Sequence, residues 1–161
     1  MFMQFKLFND YQQIISTLKQ ADVDNFVTIT GDLHLFTAGY LYENFNSLNN
    51  APEPTSDPPS VPGVEYPAGV CFMAGSMTSS NLSEIATNGV GFPAPVMADP
   101  QVYKAANPHI VHFDSSTHGY NILDITSTQL TCRMQPVNPI KMQEGAAKGN
   151  RPYSVCSGTS I

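Results

Sequence analysis

The residues best suited to chemistry lie in Thr30-Gly31-Asp32-Leu33-His34, directly after a short run of β-branched and aromatic residues, Phe26 to Thr30. Ligands of layered α/β proteins collect where strands end. On an extended exit Asp32 and His34, two apart, project the same way, and Gly31 lets the chain turn. A carboxylate beside an imidazole suits Zn²⁺, Fe or Mn²⁺. The alternative is that Asp32 caps a following helix and His34 is a polar surface residue. A second cluster follows Asn107-Pro108-His109, with His109, His112 and His118 within ten residues. His109 and His112 fall on opposite faces of a strand, so the three do not form one ligand set. Asp114 to Tyr120 reads as a loop in which Gly119 supplies positive φ. Gly75 to Ser80 could cradle an anion through backbone N–H groups, but it lacks the Lys of a phosphate-binding loop. There is no Gly-x-Ser-x-Gly nucleophile motif.

The elements that position these residues are legible in outline. Asn9 is a plausible cap for a helix whose inner face carries Tyr11, Ile14, Ile15 and Leu18. Phe26 to Thr30 is a buried strand, and a second helix is expected over Thr37 to Asn46. Residues 49–67 hold six of the 13 prolines and form a surface loop. Val70 to Met73 is a strand, Asn81 to Ala86 one helical turn, and Asp99 to Ala106 a helix with Pro100 in its first position. Ile110 to Phe113, Tyr120 to Thr126 and Gln129 to Met134 read as an antiparallel meander. Residues 136–161 are a poorly patterned tail. The order implies a layered α/β (α+β) arrangement.

The composition narrows the function. At 161 residues and 17.5 kDa the chain is one domain's worth. Its net charge is −6, and seven Lys and Arg are scattered. That disfavours a nucleic-acid surface or adhesion to anionic lipid. No apolar run is long enough to span a bilayer, and Met1 to Phe8 lacks the features of a signal peptide; the compartment stays open. Cys71, Cys132 and Cys156 make neither a zinc pattern nor a disulfide framework. A bridge between Cys132 and Cys156 is an open alternative to idle thiols.

Four segments in order resemble the alkaline phosphatase D (PhoD-like) family of metallophosphoesterases. They are Thr-Gly-Asp-Leu-His at 30–34, the strand and Ser/Thr-rich turn within 63–80, Asn-Pro-His-Ile at 107–110, and Asp114 leading through His118-Gly119-Tyr120 to Leu123-Asp124-Ile125-Thr126. The resemblance spans roughly residues 9 to 135. It implies half of a calcineurin-like β-sandwich flanked by helices and hydrolysis of phosphomonoesters or phosphodiesters by a metal-activated water. It also implies Asp32 and His34 as metal ligands, His34 as a catalytic residue, and Asn107 and His109 near the site mouth. The metals implied are Fe, Ca or Zn, and the substrate is a small-molecule phosphate ester.

Two departures qualify the match. The family's earlier ligands lie in its amino-terminal half, and no counterpart precedes Asp32. Leu35 stands where the family often has a small polar residue. Residues 1–135 therefore read as the carboxy-terminal part of such an enzyme, expected to be inactive alone and to work with an amino-terminal half-domain or as a homo-oligomer. The competing reading is a non-catalytic interaction or structural domain that keeps the scaffold.

Overall fold

The computed structural model describes residues 2–45, 64–87, 99–137 and 153–155, with backbone alone at 2–8 and 153–155. Helix α1 (Phe2–Gln20) leads into β1 (Phe26–Thr30), β2 (Phe36–Leu41) and β3 (Gly69–Met73). Helices α2 (Leu82–Thr87) and α3 (Pro100–Ala106) follow, then β4 (Ile110–Asp114), β5 (Gly119–Ile125), β6 (Leu130–Pro136) and β7 (Tyr153–Val155).

The strands make two sheets. One has four strands in the order β1-β3-β2-β4, with β1 parallel to β3 and β2 antiparallel to both β3 and β4. The other has three strands in the order β5-β6-β7, all antiparallel. Side chains alternate across each strand. Phe36, Ala38, Val70 and Phe72 therefore share the face that packs on Cys132 and Met134 of β6. The opposite face carries Leu41 and Cys71 against Ile15, Tyr11 and Leu18 of α1. Tyr103 of α3 stacks on Phe113 at 4.1 Å. The result is a layer of helix, a mixed sheet and an antiparallel sheet. Residues of β2 are buried on both faces because the strand is central and covered on either side.

Several sequence expectations change here. The helix expected over 37–46 is not formed at 37–45, and residue 46 lies outside the described residues; Phe36–Leu41 is the interior strand β2. Gly39 makes that possible, since a Cβ there would lie 2.7 Å from the His109 carbonyl oxygen, in the segment that leads into β4. Asn9 caps nothing, because α1 already runs through it from Phe2. The meander is divided: β4 belongs to the first sheet, whereas β5 and β6 belong to the second. Asp114 to Gly119 is thus a crossing between sheets and not a hairpin turn. Within the tail, Tyr153–Val155 returns as a strand beside β6, pairing Val155 with Cys132. Cys71 and Cys132 are free thiols, and burial pushes Cys132 up to about 11. Most of the expected loop at 49–67, and Cys156, lie outside the described residues.

By contrast, β1 and β3 are strands where their residue types place them, although β1 is a partly exposed edge strand and not a buried one, because among the described residues only β3 pairs with it. Helix α3 starts at Pro100, with the Asp99 carboxylate accepting from the Gln101 and Val102 backbone N–H groups. Among the described residues, no helix is long and apolar enough to cross a membrane.

Candidate functional site

Strands β1, β3 and β4 run in the same direction, so their carboxyl ends meet at one end of the first sheet. Three segments leave from that end: 31–35 after β1, 74–81 after β3 and 115–118 after β4. Backbone hydrogen bonds join them. The Leu82 N–H donates to the His34 carbonyl at 3.3 Å, Ser83 to Ser115 at 3.0 Å, and Gly119 to Ser76 at 3.0 Å.

Asp32 and His34 both have left-handed backbones, at φ 80° and 55°. The sharp turn is made by these two side-chain-bearing residues and not by Gly31. Such conformations cost of order 1 kcal/mol each and persist where the surroundings hold them. Holding is supplied at His34: its Nδ1 lies 2.7 Å from the Ser80 carbonyl oxygen. A carbonyl only accepts, so Nδ1 donates, and in the neutral ring Nε2 is the nitrogen with the free lone pair. An imidazole oriented by a backbone carbonyl in this way is the arrangement metal-binding histidines use. The Asp32 carboxylate is exposed and has no partner among the described residues. Leu35, next along, turns wholly into the core.

Behind this corner lies a buried polar network. Asn81 is 2% exposed and His118 4%. Asn81 Nδ2 donates to the Ser116 carbonyl at 2.7 Å and reaches His118 Nε2 at 3.2 Å. His118 Nδ1 faces the Ser76 carbonyl at 3.2 Å. The tautomer follows: Nδ1 donates to Ser76, and Nε2 accepts from Asn81. Glu84 Oε1 stands 3.4 Å from His118 Nε2. Asn81 and Glu84 also form a reciprocal cap on α2. The Glu84 N–H donates to Asn81 Oδ1 at 2.9 Å, and the Asn81 N–H donates to Glu84 Oε2 at 3.2 Å. The Ser76 hydroxyl donates to the Ser79 carbonyl, closing the turn after β3.

Asp114 Oδ1 accepts from the Ser116 and Thr117 N–H groups at 2.9 and 3.0 Å and from the Ser116 hydroxyl at 3.0 Å. Burial alone would raise this carboxyl, but those hydrogen bonds outweigh it and hold it below its usual range. Asp114 therefore shapes the crossing loop.

The structure brings Asp32, His34, the Ser76–Ser80 turn and His118 to one corner. It does not bring Asn107 and His109 there. They precede Ile110, which pairs with Gly39, whereas the corner lies at the Asp114 end of β4, paired with Phe36. His109 packs its ring on Phe45 at 4.4 Å, and burial lowers its pKa. Asn107 ends α3, its N–H donating to the Lys104 carbonyl. Gly119 does not supply positive φ. It is needed because a Cβ would come within 2.1 Å of the Gln135 carbonyl oxygen. Asn81 and Glu84 were not singled out from the sequence, although Asn-Leu-Ser-Glu has the spacing of a reciprocal helix cap.

Fold and corner together define a layered α/β protein with candidate ligands at the carboxyl ends of parallel strands. The model of the PhoD-like phosphatase family matches residues 8–134, and the chain belongs to that family. A solved structure described as that of PhoD is similar in fold, with a TM-score of 0.62 at 19% identity over 92% of this chain. The similarity covers 23% of that protein's chain, so this chain spans under a quarter of its length. No match was found among curated proteins.

Proposed function

We propose that this chain supplies the carboxy-terminal part of a metal-dependent phosphoester hydrolase site, in half of a calcineurin-like sandwich. One observation carries the reading: the Ser80 carbonyl faces the Nδ1 of His34 at 2.7 Å, leaving Nε2 as the outward nitrogen of a ring two residues from the exposed Asp32. The two residues fit a metal ion as members of a larger set. Among the described residues no group of three or more His, Cys, Asp or Glu is placed to hold one, and catalytic sites generally need at least three protein ligands.

In the proposed site Asp32 contributes charge and His34 a neutral nitrogen donor. Such metals lower the pKa of a bound water and neutralise phosphate oxygens. Fe, Ca or Zn are the candidates, and a small-molecule phosphomonoester or phosphodiester is the substrate class. The protein's net charge of −6 would by itself repel such an anion, so local positive charge at the corner matters.

The missing ligands are proposed to come from an amino-terminal half-domain or a second copy. The first sheet supports this. Among the described residues β1 has a strand neighbour on one side only. Its Ile29 lies level with the buried Phe72 yet is 59% exposed, and Leu33 nearby is 53% exposed. An edge of Phe-Val-Thr-Ile-Thr, without Lys or Pro, is open to further pairing.

The test is metal content of the purified chain beside Asp32→Ala/His34→Ala, with hydrolysis of a bis-aryl phosphate in added Fe and Ca²⁺. Metal that disappears in the double variant, with turnover only after an amino-terminal half is added, supports the reading. Robust turnover by the monomer overturns the partial-site claim. Absence of metal in both proteins favours a non-catalytic scaffold.

A further inference from the structure

We infer that Glu84 is a positioning residue for His34, acting through the peptide bond between Ser80 and Asn81. This deepens the metal-site reading and rests on it. A peptide unit is rigid and planar, and in the trans form its N–H and C=O point in opposite directions. The Ser80 carbonyl and the Asn81 N–H belong to one such unit. Glu84 Oε2 accepts from its N–H at 3.2 Å, while the carbonyl accepts from His34 Nδ1 at 2.7 Å. Fixing one side of the plane aims the other. The cap of α2 therefore sets the direction of the acceptor that decides which ring nitrogen of His34 stays free.

The surroundings make this plane hard to rotate. Asn81 is held by its side chain to Ser116, His118 and the Glu84 N–H. The Leu82 N–H donates back to the His34 carbonyl, so the turn after β3 grips residue 34 at both backbone and ring. Removing a group that hydrogen-bonds a metal ligand directly typically changes metal affinity about 10–100-fold, and that range bounds the effect of Glu84, which acts through such a group.

The discriminating substitutions are Glu84→Gln, which keeps an acceptor of the same length, Glu84→Ala, which removes it, and Glu84→Asp, which keeps the charge near His118 but shortens the reach. The readout is the His34 tautomer in the metal-free full chain, followed by ¹⁵N NMR of the ring, with circular dichroism to confirm folding. Zn²⁺ affinity is measured beside it. The native chain and Glu84→Gln should hold the Nδ1–H form. Glu84→Ala and Glu84→Asp should show a mixture of tautomers and about 10–100-fold weaker Zn²⁺ binding. If Glu84→Ala fails to fold, Glu84→Asp decides. An unchanged tautomer in the folded Ala or Asp variant overturns the inference, as does a Gln variant that behaves like Ala. A native chain that binds no Zn²⁺ yet shows the expected tautomer pattern would sink the metal reading and leave the positioning role standing.

Discussion

The His34 ring donates to the Ser80 carbonyl at 2.7 Å across 46 residues of sequence. That bond joins the exit of β1 to the exit of β3 and aims the free nitrogen of His34. It is the point where the first sheet's topology becomes a candidate site.

Asp32 holds a left-handed backbone that only glycine adopts without strain. Asp32→Gly should raise stability by up to about 1 kcal/mol, the relieved strain exceeding glycine's extra chain entropy, while metal retention falls. Urea unfolding beside metal analysis checks both. A variant that loses stability and keeps its metal would contradict the strain and the ligand assignment together.

The buried network predicts a cost at His118. His118→Leu leaves one Asn81 amide proton without its acceptor, so stability should drop by about 1–3 kcal/mol. Denaturant midpoints provide the comparison, and a loss below about 0.5 kcal/mol, as at ordinary surface sites, would argue against a satisfied buried network.

Two glycines should respond oppositely. At Gly119 a Cβ would meet the Gln135 carbonyl oxygen at 2.1 Å and the Phe36 ring at 2.8 Å, whereas at Gly31 nothing lies within 4 Å. Gly119→Ala should therefore destabilise by about 1–3 kcal/mol or more. Gly31→Ala should stay within about 0.5 kcal/mol of the native chain. Thermal melts of the pair settle the matter, and equal behaviour would refute the close approach of β5 to β6.

The pH dependence follows from two half-buried histidines. Burial lowers the pKa of His109 and of His112 below the usual 6.5; at His112 Asp114 opposes the shift and Lys104 adds to it. Unfolding releases both rings to bind protons more readily. Their contribution is therefore complete above pH 6.5 and lost as pH falls through the folded values. Asp114, held below 3.8, adds a separate limb, present above that value and lost at lower pH. Stability measured on descending pH should fall in two stages, and His109→Gln should flatten the first. An unaltered first stage would show that the His109 ring is not what titrates.

Local pattern carried much of this molecule. Phe26 to Thr30 is a strand because its residue types pack well on a pleated surface, and Asp99-Pro100 starts a helix because cap and fixed φ act within a few residues. The Asp32 and His34 pair was visible for the same reason: it directly follows a recognisable strand. Residues 37–46 misled because Thr37-Ala38-Gly39 carries no decisive period. What made Phe36–Leu41 a strand was the presence of β3 and β4 on either side. The division of β4 from β5 likewise depended on partners distant in sequence.

By itself the sequence determined the short-range elements, the acidic charge balance and the order of the motifs that place the chain among PhoD-like phosphatases. Tertiary structure alone decided that His34 meets Ser80, that Glu84 and His118 stand behind them, and that His109 lies at the far end of β4. Hydrogen bonds between strand ends depend on sheet order, and sheet order is set by burying side chains from segments tens of residues apart. Residue type announces which groups can bind or donate. Only packing determines which of them meet.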